Sequence, residues 1–145
     1  MARLYLAAAF TEAERMRRYR DELRKTGHHV TSRWIDSHES ICKSEIRTNR
    51  TSAQGFAVDD IADIISADAM ILFTDVPSTT GGYHVEFGAA LMIGKIIIIV
   101  GQRTNIFQAY EGVEQFDTWA KFIECVRSVH ASSAQRNPEV PGFLN

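Results

Sequence analysis

Two uninterrupted apolar runs, Ala69-Met70-Ile71-Leu72-Phe73 leading into Thr74, and Ile96-Ile97-Ile98-Ile99-Val100, constrain the fold more than any other feature of the chain. A strand that shows one face to water alternates apolar and polar residues. These runs do not alternate, so they predict central strands covered on both faces, as in a parallel sheet between two helical layers. The segment from Arg3 to Ala8 reads as another buried strand. Thr11 is placed to cap a helix running to about Lys25, where Gly27 stops it; Ala13, Met16, Tyr19 or Arg20, and Leu23 form its inward stripe. His29 to Ile35 reads as a second strand, and residues 36–49 as a long polar loop or a loop with one short helix, a length often given to functional lids. Helices are expected from about Ala53 to Ser66 and from Tyr83 to Ile93, the latter ended by Gly94-Lys95. After a loop from Gly101 to Glu114, an edge strand falls around Phe116, and Thr118 opens a helix through Trp119, Phe122, Ile123 and Val126. Strands alternating with helices predict an α/β fold, a single doubly wound domain of the flavodoxin-like or Rossmann-like kind. Its five parallel strands take the order 2-1-3-4-5 over residues 1–131, and residues 132–145 form a tail.

Charge narrows the function classes. Sixteen basic and eighteen acidic side chains in 145 residues nearly cancel, so no global field points to a nucleic acid polymer or an acidic membrane. A small-molecule partner fits better. On the first helix, Glu14 with Arg18 and Arg17 with Asp21 stand at i,i+4 spacing and read as a solvated surface. Leu4 to Phe10 is too short to span a membrane, and the charged run that begins at Glu12 does not suit a signal peptide. Cys42 and Cys125 show neither a CxxC nor a matching histidine spacing, so neither zinc nor a disulfide framework is expected. Both cysteines read as reduced in a cytoplasmic protein, where the sequon Asn49-Arg50-Thr51 would be inert.

In a doubly wound sheet, ligands bind beyond the carboxyl ends of the strands, where the strand order reverses. Three segments meet there: Ala8 to Glu12, the loop after Ser32, and Asp75 to Glu86. The last carries several hydroxyls, then Gly81-Gly82 just before a helix, where free N–H groups and the helix dipole favour an anion such as phosphate. An ordinary hydroxyl-capped glycine turn would look the same. Glu86, placed in the first turn of that helix, would be kept ionised by the dipole, as a nucleophilic carboxylate must be, although structural glutamates favour the same position. Expected substrate contacts are Ala8, Phe10, Trp34, Thr80, Gly81, Gly82 and His84.

Other motifs fail on inspection. His84-Val85-Glu86 matches the HxE half of a zinc deaminase signature, but no PCxxC follows, so no metal is expected. Gly88 to Lys95 has one residue too many for a phosphate-binding Walker loop and Ile96 where Ser or Thr is needed. No GxGxxG follows the first strand, and Asp59-Asp60 precedes the third strand instead of following the first, as a phosphoacceptor pocket would require. No cofactor is expected.

Leu4-Tyr5-Leu6-Ala7-Ala8, the helix with Asp60 and Ala67-Asp68, and Gly82-Tyr83-His84-Val85-Glu86-Phe87-Gly88 followed by Gly94-Lys95 together resemble the nucleoside 2-deoxyribosyltransferase family, in order from about Arg3 to Trp119. The resemblance implies a nucleophilic Glu86, a Tyr5 that orients it and an Asp60 that serves the base. It also implies cleavage of the N-glycosidic bond of deoxyribonucleosides or their 5′-monophosphates through a deoxyribosyl-Glu86 intermediate, with another base or water as acceptor, in a homo-oligomer whose sites are completed across subunits. One departure is informative. Where the nucleoside transferases of this family carry an aspartate six residues before the nucleophile, this chain has Thr80. Related deoxynucleoside 5′-monophosphate hydrolases carry a serine there, and Thr80 is closer to that pattern; their other phosphate-binding serines are absent, since Ala8 and Ala9 end the first strand. Rival readings are a nucleotide-binding sensor without turnover and a glycohydrolase acting on a dinucleotide such as NAD.

Overall fold

The computed structural model describes residues 1–37 and 50–135 and brings the apolar runs together as neighbouring strands. Strands β1 (Arg3–Ala7), β2 (His29–Val30), β3 (Ala69–Phe73), β4 (Ile96–Val100) and β5 (Val113–Phe116) form one sheet in the order β2-β1-β3-β4-β5. All neighbouring pairs are parallel. Every residue of β3 is buried, as its lack of alternation requires. The helices are α1 (Ala13–Lys25), α2 (Trp34–Ser37), α3 (Arg50–Ser66), α4 (Gly82–Met92) and α5 (Trp119–Gln135). The chain steps from β1 to β2 and then back across β1 to β3, so right-handed crossovers put α1 on one face of the sheet and α3 and α4 on the other. On the first face, Tyr19 of α1 stacks on Trp119 of α5 with centroids 4.0 Å apart and on Phe73 of β3 at 5.4 Å. On the second, α3 and α4 pack against each other and against β1.

Several boundaries differ from the sequence expectation. β2 is only His29–Val30 and not a strand to Ile35, because the chain turns at Ser32 and Arg33 and winds into α2. The Ser32 hydroxyl sits 2.6 Å from the Leu6 amide, and the Trp34 indole donates to the Leu6 carbonyl at 2.8 Å. Side chains thus replace the ladder bonds that a longer strand would have made. Thr11 does not cap α1. It lies inside a 3-10 turn, Phe10–Glu12, whose entry makes no side-chain capping bond. Helix α3 starts at Arg50, earlier than Ala53, and α5 continues to Gln135, past the expected start of the tail at 132. The long loop, apart from its first two residues, Cys42 and tail residues 136–145 lie outside the described residues. On α1, Met16 and Leu23 face the core as expected, while Arg17 and Arg20 reach across to Asp36 of α2.

Two elements of the family resemblance prove to be structural. Asp68 accepts from the Arg3 amide and guanidinium, both at 2.8 Å, fastening the start of β1 to the start of β3. Lys95 directs its ammonium to the carbonyls of Ile65 (2.7 Å) and Ala67 (2.6 Å), closing the last turn of α3 at the amino edge of the sheet. That ammonium serves helix ends and no phosphate loop.

Candidate active site

Tyr5, Asp60 and Glu86 come from three different elements and meet on the side of β1 covered by α3 and α4. Tyr5 is the middle residue of β1, aligned across the ladder with Met70 and wholly buried. Among the described residues its hydroxyl makes no hydrogen bond of ordinary geometry, yet it faces carboxylates. Burial first, then Glu86, Asp60 and Asp63, hold the phenol well above its usual proton affinity. Asp60, on the inner flank of α3, is raised from 3.8 to about 6 by burial and by Asp63 and Asp59 on its own helix, against the pull of Arg33. Glu86 is raised further, from 4.5 to about 8, by burial and by the Asp60 carboxylate, with the Tyr5 hydroxyl opposing.

These values correct one expectation. Gly81, at φ +75, is the N-cap of α4, so Glu86 is the fifth helical residue and no acidic side chain occupies the first turn. The dipole's influence fades within about one turn. Desolvation and a like charge therefore outweigh it, and Glu86 binds its proton more tightly than a free glutamate. Near neutral pH the two carboxyls share about one proton as a coupled pair, so their two titration steps belong to the pair. A site with one protonated and one ionised carboxyl can donate a proton and attack an electrophile without help from a metal.

The remaining expected contacts divide. Ala8 lies just past β1, half-buried against the core. Phe10, exposed, stacks on buried Trp34 with centroids 6.0 Å apart, an aromatic wall beyond the carboxyl ends of β1 and β2. The Trp34 N–H is already spent on Leu6, so this residue offers a surface and not a donor. Thr80 is exposed, and the hydroxyl that organises the turn is that of Ser78, which accepts from the Gly81 amide at 3.1 Å and lies 3.4 Å from both the Thr80 amide and the Thr80 hydroxyl. Thr80 therefore does not cap the helix, and the Gly81 amide is already engaged. Ser78 is one of several hydroxyls in the segment, and nothing in its spacing sets it apart. His84 points away from the carboxyl pair, its Nδ1 3.3 Å from the Asn105 amide in the β4–β5 connection. A groove of about 880 Å³ opens along that flank of α4, lined by Tyr83, Phe87, Met92 and Phe107 among others. Its lining includes none of Tyr5, Asp60 and Glu86, so it is separate from the carboxyl pair.

Neither a family model nor a curated protein matches the sequence. Among solved structures, the Clostridium botulinum CMP N-glycosidase BcmB aligns with a TM-score of 0.58 at 20% identity, over 86% of this chain and 98% of that one. What the two share at this identity is the fold.

Proposed function

We propose that this protein is an N-glycosidase that cleaves the bond between base and sugar in a nucleoside 5′-monophosphate. The observation that carries the reading is the convergence of two carboxyls of unequal proton affinity, Asp60 at about 6 and Glu86 at about 8, on a buried phenol that has no other partner among the described residues. The proton that the pair shares rests mainly on Glu86; its transfer to Asp60 leaves Glu86 ionised to attack the anomeric carbon as the glycosidic C–N bond breaks, and Asp60 delivers that proton to the departing base. Tyr5, whose hydroxyl faces the pair, donates to the Glu86 carboxylate once that carboxylate is ionised and so orients it. Water, or a second base, then attacks the glycosyl-Glu86 ester while Asp60 takes up a proton, which restores both carboxyls. The 5′-phosphate meets the Thr80 hydroxyl and the Gly82 amide at the start of α4, and the Phe10–Trp34 wall flanks the bound nucleotide. That a CMP N-glycosidase has the same fold supports a nucleotide over a free nucleoside.

Incubation with ribo- and deoxyribonucleosides and their 5′-monophosphates, with and without a free acceptor base, tests the reading by chromatography of the released base. Base release from monophosphates, trapped as a mass adduct on Glu86 with a slow substrate, is expected. If no nucleotide yields free or exchanged base, the proposal falls.

The outward side of α3 and α4 supports a homo-oligomer. Val58, Ile61 and Ile65 form an exposed stripe at i, i+3 and i+7 on α3, and on α4, which packs against it, Val85 and Met92 are 70% and 85% exposed. An uncharged face of this kind beside the carboxyl pair fits a second copy of the chain. Light scattering is expected to show a dimer or larger assembly, and an active monomer at micromolar concentration would refute it.

A further inference from the structure

Helix α3 carries three aspartates within two turns, Asp59, Asp60 and Asp63, and only one of them belongs to the proposed carboxyl pair. The other two are held by a single residue from outside the helix. Arg33, in the turn between β2 and α2, donates its backbone N–H to Asp63 at 2.9 Å and its Nε to the other oxygen of the same carboxylate at 2.8 Å. One terminal nitrogen lies 3.1 Å from the Asp59 carboxylate, and the second reaches the Asp59 carbonyl at 3.3 Å. The Asp63 side chain is 8% exposed, so an ion pair with two converging donors is what makes its charge tolerable there. Asp59 and Asp63 stand at i,i+4 and share a flank of the helix. Asp60 is rotated about 100° from Asp59, towards Tyr5 and Glu86.

We propose that Arg33 is a positioning residue for Asp60. Its fork fixes the rotation of α3 that brings Asp60 to Glu86, and it neutralises the two carboxylates that would otherwise load Asp60 with like charge. This rests on the proton-donor role given to Asp60 above. Among the described residues, the charged and titratable groups around Asp60 are Asp59 and Asp63 on α3, Arg33 after β2, Glu86 on α4 and Tyr5 on β1. Arg33 is the cation among them, and its influence on Asp60 has the sign the proposal needs.

A planar guanidinium can meet Asp63 and Asp59 together, whereas the single ammonium of a lysine can meet only one of them well. Carboxyl-carbon NMR titration of the full chain, with the Asp60 resonance assigned by its loss in Asp60→Asn, should place the Asp60 midpoint higher in Arg33→Gln by about half to one pH unit. Arg33→Lys should give a smaller rise. In the same variants, the acid limb of the kcat/KM profile for a nucleoside 5′-monophosphate should move upward in parallel. A folded Arg33→Gln with an unmoved Asp60 midpoint would reduce Arg33 to a structural strut. If Arg33→Gln does not fold, Arg33→Lys decides alone, and no rise there overturns the proposal. Because the titration needs no turnover, failure of the N-glycosidase reading would show as absent base release in the wild type, independently of the Arg33 result.

Discussion

Helix α1 and the α3–α4 pair cover opposite faces of the same sheet under opposite rules. In α1, Met16 and Leu23 are buried while the acidic and most of the basic side chains reach water or one another. In α3, Asp63 is buried and Asp60 turned inward, while Val58, Ile61 and Ile65 lie in the open. Helix α4 buries Tyr83, Phe87 and Ala90 but also brings Glu86 in and leaves Val85 and Met92 out. The first arrangement is what burial of apolar surface alone would select. The second carries two costs, desolvated carboxyls inside and unburied methyl groups outside, and neither is returned within one copy of the chain. A reaction at the inner face and a second subunit on the outer one would each account for one of them.

The inner face breaks first at Glu86. Glu86→Gln should lower kcat/KM for base release by on the order of a thousandfold or more, since a neutral amide cannot form the glycosyl ester. Its stability effect should run the other way. A glutamate that titrates near 4.5 when unfolded and near 8 when folded favours the native state most below pH 4.5, and that contribution is lost as pH rises through 8. Glu86→Gln should therefore melt higher than wild type at pH 8, with the difference shrinking towards pH 5. Calorimetry at both pH values checks it, and a Gln variant that melts lower at pH 8 would mean that Glu86 is well paired and not desolvated.

Asp60→Asn should cost about a hundredfold, the usual value of a positioned acid. In the wild type, kcat/KM should be bell-shaped with limbs near 6 and 8, because the working form holds one proton on the pair. Asp60→Asn removes the charge that helps raise Glu86, so Glu86 should ionise below 8 and activity should rise with pH through that single step, with no falling limb. A profile with no limb between 5 and 9 would separate the two carboxyls from the chemistry.

How much of this was legible in the sequence follows the same division. The order 2-1-3-4-5 could be read because β3 and β4 are uniform apolar runs and the pattern of α1 obeys one rule. Tyr5 and Asp60 stand out only by resemblance, since by residue type alone each passes for an ordinary core or helix residue, and Glu86, a candidate by its place in the ligand-binding segment, is set apart from a structural glutamate by the resemblance alone. Their effect on one another was not legible. The proton affinity of Glu86 depends on burial by distant elements and on Asp60, far away in sequence, and a helix position predicted the opposite sign. β2 was overextended because Ser32 and Trp34 look like strand residues until their side chains are seen taking the Leu6 backbone groups. Ser78 was missed for a related reason, as any hydroxyl in that segment could have closed the turn.

Thr80 sharpens the comparison at the mouth of the site. A charge-assisted hydrogen bond contributes about 1.5 to 3 kcal/mol. With the Gly81 amide already bound to Ser78, the Thr80 hydroxyl and the Gly82 amide remain for a phosphate, so monophosphates should exceed nucleosides in kcat/KM by roughly ten- to a hundredfold. Thr80→Asp should reverse that order by like-charge repulsion. An unchanged ratio would take the phosphate away from this turn and leave a nucleoside enzyme.

The smallest effects belong to the outer faces, where the two rules can be set directly against each other. Arg18 is exposed on α1, and Arg18→Ala should leave stability within about 0.5 kcal/mol, as substitutions on a solvated surface usually do. Val85 is 70% exposed, and by exposure alone Val85→Lys should be equally harmless. If a second copy covers the outer face of α3 and α4, the lysine instead forfeits on the order of 1 to 2 kcal/mol of apolar burial in each protomer. The loss is counted twice in a symmetric interface. Dissociation should then appear in light scattering at micromolar concentration, with melting that depends on protein concentration. Ile65→Lys should do the same, because Ile65 belongs to the exposed stripe on α3. If Val85→Lys and Ile65→Lys prove as silent as Arg18→Ala, with mass and melting unchanged, the outer face is merely apolar surface, and the contrast between the two helical layers reduces to the carboxyl pair alone.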